Sequence, residues 1–184
     1  SGAHQPSLKR GEDYEAIFSE ARAEFRRRDH DYDTHTEIVV SWGDDIGLGR
    51  LRITNPAAAR RSIEVTTYAE VALAPAAADA LHPAFSNLFV QTEIERSREA
   101  ILCTRRPRSA EERSPWMFHL MAAHGGEAGE ISYETDRARF LGRGRGVRAA
   151  LCVLDGAPLS GTTGPVLDPI VSLRHRVAVA RGHT

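Results

Sequence analysis

The chain has 184 residues, room for one globular domain and marginal for two. A formal net charge of -1, from 24 basic against 25 acidic residues, argues against a dedicated binder of nucleic-acid backbones. With 41% hydrophobic and 27% charged residues the composition is globular rather than disordered, and no apolar run approaches the ~18 residues of a membrane span. With no apolar leader at its start, the stretch reads as soluble.

Ser1 to Asp13 is polar and aperiodic and reads as a flexible end, so the folded domain is expected over residues 14–184. Tyr14 to Arg28 fits a hairpin (Tyr14–Phe18, then Ala23–Arg28). It also fits a helix with Ile17, Ala21 and Phe25 on one face; strand-rich surroundings favour the hairpin. Thr36, Ile38 and Val40 alternate with Glu37, and Leu51 and Ile53 with Arg50 and Arg52, as strands require.

The clearest period of two runs from Ile63 to Leu73, with Ile63, Val65, Thr67, Ala69, Val71 and Leu73 against Glu64, Thr66, Tyr68 and Glu70. It predicts one long strand whose register keeps both glutamates out of the core. Ala74 to Ala80 reads as a connecting loop with one turn of helix, closed by Pro83, and Ser86–Glu93 and Ile101–Arg105 as strands. Trp116 to Ala123 is apolar on both faces, which suits either a doubly buried strand or a helical segment and puts Trp116 in the core. Val171, Leu173, Val177 and Val179 alternate with Ser172, Arg174 and Arg176 in a last strand whose apolar face includes His175. Turn-like stretches lie between, at Gly43-Asp44-Asp45, Asn55-Pro56, Gly125-Gly126 and Gly156 to Pro165. Many short strands without internal repeats predict an antiparallel sandwich.

Most chemical motifs fail on inspection. Asp29-x-Asp31-x-Asp33 opens like a calcium loop, but Thr34 stands where the turn needs glycine and Val40 where a bidentate Glu belongs. Gly161-Thr162-Thr163-Gly164 lacks the lysine of a phosphate loop, and Ser160 sits in no nucleophile elbow. Cys103 and Cys152 form no disulfide framework or ligand spacing and read as ordinary thiols. His119 and His124, five apart, suit no metal pair; His175 reads as a satisfied buried imidazole. Nothing in the chain calls for a cofactor or a metal. The unusual segment is Leu141-Gly142-Arg143-Gly144-Arg145-Gly146, where glycines permit close backbone approach and arginines offer forked donors to phosphate or hydroxyl-rich ligands. The same segment also reads as a mobile turn with two solvated charges.

Four ordered tracts carry a resemblance: residues 62–75, residues 82–93, residues 136–145 and residues 158–170. Together they resemble the β-sandwich domain of family-94 glycoside phosphorylases, formerly family-36 glycosyltransferases, in the form found within cyclic β-1,2-glucan synthases (NdvB-type). The resemblance implies an all-β, large antiparallel two-sheet supersandwich of galactose-mutarotase-like kind. In such enzymes it precedes an (α/α)6 barrel that carries the general acid, while phosphate attacks. The chain then reads as an excised, non-catalytic domain that shapes glucan subsites beside that barrel. The resemblance also implies a parent enzyme in the bacterial inner membrane, with this domain on the cytoplasmic side.

On the same match Arg143 and Arg145 take a substrate-side role and Asp168 a weaker one, with capping or turn formation as its alternative. His82 and Pro83 would fix the entry to a strand, with Phe85 in the core. Val147 to Leu154 departs from the more polar, proline-containing stretch of relatives. The expected partners are β-glucan or gluco-oligosaccharide, the barrel, and a second copy through an open strand edge; nucleic acid is not expected. An autonomous glucan-binding module is the alternative, with Trp42 as its one exposed aromatic platform. A mutarotase-like enzyme is a third reading, which would need an acid and base paired in one cleft.

Overall fold

Short alternating runs between residues 13 and 54 build a four-stranded meander. In the computed structural model, which describes residues 6–29, 32–56, 59–107, 109–125 and 127–180, β1 (Asp13–Ser19), β2 (Arg22–Asp29), β3 (Tyr32–Val40) and β4 (Gly47–Thr54) pair antiparallel in chain order. Tyr14 to Arg28 is therefore a hairpin, closed by Glu20-Ala21 with Ala21 at φ 57°. Its register sets Glu15 opposite Arg26 and Ala16 opposite Phe25, and the Phe18 and Phe25 rings meet edge-on at 6.0 Å. One face of the sheet is a lattice of charges: Glu24 faces Glu37 across β2–β3, and Arg22 and Arg50 bind these acids. On the other, Phe18, Ile38, Val40 and Leu51 are exposed.

Of the predicted flexible end, Ser1–Gln5 lie outside the described residues, and the Lys9 carbonyl accepts a hydrogen bond from Arg27 Nη1 at 2.8 Å. Asp31 and Gly126, from the calcium-like and glycine-turn readings, also lie outside them. Asp29 and Asp33 are held by Arg27 and Arg28.

The remaining elements are β5 (Arg61–Thr66), β6 (Ala69–Glu70), α1 (Ala76–Leu81), α2 (Pro83–Asn87), β7 (Val90–Glu95), β8 (Ala100–Arg105), β9 (Trp116–Leu120), β10 (Glu127–Asp136), α3 (Arg137–Leu141), α4 (Leu151–Asp155) and β11 (Pro169–Val179). One sheet runs β7-β8-β9; another runs β10-β11-β5, with β6 also on β11. The all-β, antiparallel reading holds, with the strands of the described residues in three hydrogen-bonded sheets. The chain divides into two compact units, residues 1–63, 125–127 and 177–184 in one, 64–124 and 128–176 in the other.

In the second unit Val90, Ile101 and Cys103 from one sheet pack with Tyr133, Val171, Leu173 and Val71. The opposite face of β11 is also covered: Ile170 joins Phe140, Leu141, Ala150 and Leu159 in a second core formed with α3. Ser172 and Arg174 therefore lie under protein and not in solvent. Burial pushes the Cys103 thiol up to about 12, which leaves it an inert core residue.

Four expectations are corrected. The long strand from Ile63 to Leu73 is interrupted at Thr67-Tyr68. There the Leu173 N–H bonds to the Thr67 hydroxyl at 3.0 Å while the Thr67 carbonyl accepts from Ser172 Oγ at 2.7 Å, so side chains replace part of the ladder. Ser86 and Asn87 belong to α2, with Pro83 at its first turn, so His82 and Pro83 open a helix rather than a strand; the strand begins at Val90. Proline suits that position because its missing N–H would have no helical partner there. Phe85 is 53% exposed instead of core, its ring edge-on to Phe89 at 5.2 Å. Trp116 to Leu120 is an edge strand, not a doubly buried one: Met117, His119 and Met121 are half-buried, and Trp116, Phe118 and Leu120 point outward.

Candidate functional site

The segment 142–146 is displayed by a short, well-anchored helix. Asp136 caps α3 by accepting from the Ala138 N–H at 2.8 Å, and Phe140 and Leu141 bury its far end. Gly142 and Gly144 then take φ of 81° and 69°, values that glycine adopts without a Cβ penalty. Arg143 and Arg145 follow these turns out to solvent and make no side-chain hydrogen bond or ion pair among the described residues. Both guanidinium forks are free for a ligand.

Asp168 lies at the other end of α3, where its carbonyl accepts from the Arg137 N–H at 3.1 Å. It accepts from Arg137 Nη1 at 3.3 Å and from Asn87 Nδ2 at 3.4 Å. Arg137 Nε also reaches Glu70 Oε1 at 3.1 Å and the Tyr68 hydroxyl at 3.2 Å. The hydrogen bond to Tyr68, with the nearby carboxylates, raises the Arg137 pKa, so the guanidinium stays charged between Glu70 and Asp168. Two acids joined by a cation form an ion-pair brace, not an acid–base pair across a scissile bond. Trp42 belongs to the other unit, where it is 100% exposed in the β3–β4 connection.

The glycine-threonine tract is a latch. Gly161 N–H bonds to the Tyr133 carbonyl at 2.8 Å, and Gly164 pairs with Thr92 in an isolated bridge. Thr135 Oγ1 donates to the Thr162 carbonyl at 2.9 Å, and Thr163 Oγ1 to the Thr92 carbonyl at 2.9 Å. The glycine N–H groups that a phosphate would need are already used. Buried Glu134 belongs to the same latch, accepting from Ser160 Oγ and from the backbone N–H groups of Thr135 and Asp136.

Glu24, His35 and Glu37 bring their ligand atoms within 4.8 Å of one another. Arg22, Arg26 and Arg50 already bind these acids, and the hydrogen bond from Arg50 holds the Glu37 carboxyl below its ordinary range. His175 donates from Nε2–H to the Gly129 carbonyl at 3.1 Å, while its Nδ1 is buried without a partner among the described residues, so the imidazole is only half satisfied.

His119 is the titrating group with the clearest consequence. Its Nε2 lies 2.8 Å from Thr67 Oγ1, and burial lowers its pKa from the ordinary histidine value. Between that lowered value and the unfolded value near 6.5, the unfolded chain binds a proton that the folded chain does not. Stability is therefore expected to fall as pH drops through about 6.5. Thermal melts across this range should show a steeper loss for the wild type than for His119→Asn; equal slopes would show that another group is responsible.

Trp116 is the residue that sequence reasoning missed. It is 66% exposed and walls a groove of ≈ 360 Å³ with Gln91, Glu93 and Thr104. Two apolar faces on one segment gave no sign of which would turn outward.

The family model described as "Glycosyl hydrolase 94, supersandwich domain" matches residues 1–184. The chain is also 39% identical over 182 residues to "Cyclic beta-(1,2)-glucan synthase NdvB" of Rhizobium meliloti (strain 1021), a match covering 99% of this chain and 6% of that protein. The chain thus spans a small fraction of the length of that relative.

Proposed function

Since the chain belongs to the glycosyl hydrolase 94 supersandwich family, we propose that it serves a glucan-building glycosyltransferase as a non-catalytic, sugar-facing domain. Its substrate class is β-1,2-glucan, after the activity named for the synthase it is similar to. The catalytic groups lie in a helical (α/α)6 barrel elsewhere in the same polypeptide, and the parent enzyme sits in the bacterial inner membrane with this domain on the cytoplasmic side. No helix among the described residues is long and apolar enough to cross a membrane.

The observation that carries the reading is the anchored loop with two free guanidinium groups, Arg143 and Arg145. Forked donors of this kind suit vicinal sugar hydroxyls or the phosphate that attacks in family-94 chemistry. Acids packed around α3 and β10 support the non-catalytic part: Glu70 and Asp168 are tied to Arg137, Asp136 caps α3, and Glu134 is buried in the latch. Asp168 then acts as a brace for α3, which places the loop.

In the polypeptide that carries this chain, Arg143→Ala with Arg145→Ala is expected to lower turnover by about tenfold or more, tenfold being about the worth of one charge-assisted hydrogen bond. The melting temperature should not move, since neither side chain holds the fold. Unchanged kinetics would reduce the loop to a connector. Release of glucose 1-phosphate from β-1,2-glucan and phosphate by the 184-residue chain alone would overturn the non-catalytic assignment.

A further inference from the structure

We infer that the outer face of β7-β8-β9 is a second glucan-binding surface, on which Trp116 and Phe118 stack against sugar rings while Gln91, Glu93 and Thr104 bond the hydroxyls. That the sugar is a glucan rests on the function proposed above; that the face takes a sugar rests on the face itself.

Strand register puts the groups in rows. Gln91 pairs with Thr104 and Thr104 with Trp116, while Glu93 pairs with Leu102 and Leu102 with Phe118. Side chains two apart on one strand share a face, so Trp116 and Phe118 lie about 7 Å apart along β9, each with a polar end of its row on β7. Trp116 is 66% and Phe118 60% exposed. The alternate residues of the same strands, Thr92, Ile101 and Cys103, are buried, so the platform stands on a packed core. The far wall of the groove, Gly164-Pro165, is pinned to Thr92 by reciprocal backbone bonds of 2.8 and 3.1 Å.

The polar groups have spare capacity. Gln91 and Glu93 make no side-chain hydrogen bond or ion pair among the described residues. Thr104 Oγ1 donates to the Pro115 carbonyl at 3.1 Å, which leaves its lone pairs to accept a sugar hydroxyl. Pyranoses need both features at once, because their C–H faces stack on aromatic rings and their equatorial hydroxyls exchange hydrogen bonds with amide and carboxylate groups. The centre of a protein-docking patch is instead depleted of charge. A phosphate backbone would meet the unpaired carboxylate of Glu93.

The chain has two tryptophans, Trp42 and Trp116, so Trp42→Phe leaves Trp116 as the only indole reporter. Linear β-1,2-gluco-oligosaccharides titrated into that variant of the full chain should shift Trp116 fluorescence saturably. In the wild type followed by calorimetry, Trp116→Ala should lower the association constant by about tenfold, and Trp116→Phe should retain most of it, because a ring still stacks. Leu154→Ala, at an exposed residue of α4, should leave this binding unchanged, which separates the surface from a general loss of exposed apolar area. No saturable binding, or binding unaffected by Trp116→Ala, overturns the inference. So does a fluorescence change that follows chain concentration instead of sugar, which would mean that a second copy covers the face. Tight binding of an oligosaccharide of another linkage, with none of the β-1,2 form, would uphold the surface and sink the substrate class proposed for the domain.

Discussion

Arg174→Ala is expected to destabilise the chain by about 3–5 kcal/mol, the loss of three hydrogen bonds from one buried charged donor. Arg174 is buried on β11, where Nε donates to Thr66 Oγ1 at 3.0 Å, and Nη1 and Nη2 donate to the carbonyls of Ala157 and Cys152. The Cys152 carbonyl belongs to the five-residue α4, where the carbonyl groups of so short a helix lack intrahelical partners. Removing the guanidinium takes the donor away from three part-buried acceptors, and it opens a void as well. For a chain of this length, about 2–4 °C of melting temperature is lost per kcal/mol, so a shift on the order of 10 °C should appear in calorimetry. Arg174→Lys should recover part of it, because an ammonium reaches one carbonyl but not two in a fork. Arg176, two residues on, is exposed and pairs with Glu64 at 2.6 Å; Arg176→Ala should cost about 0–1 kcal/mol. Equal effects at the two positions would show that Arg174 does not hold α4 to the strand.

Arg174 also shows where sequence periodicity stops informing. Alternation from Val171 to Val179 correctly marks a strand with one apolar face, and it marks Ser172 and Arg174 as the wet side. The wet side is dry because residues from 137 to 159, with helices too short to show a 3.6-residue period, pack over it. Local pattern reports what a side chain is, not what tertiary structure lays on top of it. The meander of β1 to β4 was legible for the opposite reason: hairpin neighbours supply their own pairing, so the alternation needs no distant partner. The break at Thr67-Tyr68 was invisible, since a threonine in a β-branched run gives no hint that its hydroxyl will take the place of a ladder acceptor.

The site divides along the same line. Arg143 and Arg145 could be read as exposed, because three intervening glycines forbid regular structure around them. Asp168 could be found as an acid, but its work depends on Arg137, 31 residues earlier, and on Asn87, 81 residues earlier. Trp116 was misplaced because a segment apolar on both faces looks the same whether its second face meets a core or a ligand.

Leu173→Ala tests the layer packing on which every surface above stands. Leu173 is fully buried in the cluster that includes Ile101, Cys103, Tyr133 and Val171. Truncation there removes apolar transfer energy and leaves a cavity between the sheets β7-β8-β9 and β10-β11-β5, for an expected loss of about 2–5 kcal/mol. Ile101→Val, a single methylene from the facing sheet, should cost about 0.5–1.5 kcal/mol. If the two side chains share one interior, the double variant should depart from additivity by about 0.5 kcal/mol or more, since each truncation changes the room left to the other. Leu167, largely exposed, is the control, and Leu167→Ala should fall within about 0.5 kcal/mol of wild type. Urea midpoints at constant slope measure all four. A Leu173→Ala loss no larger than that of Leu167→Ala would mean that the sheets do not share a core. The face bearing Trp116 would then have no rigid support, because Ile101 and Cys103 anchor that sheet from behind.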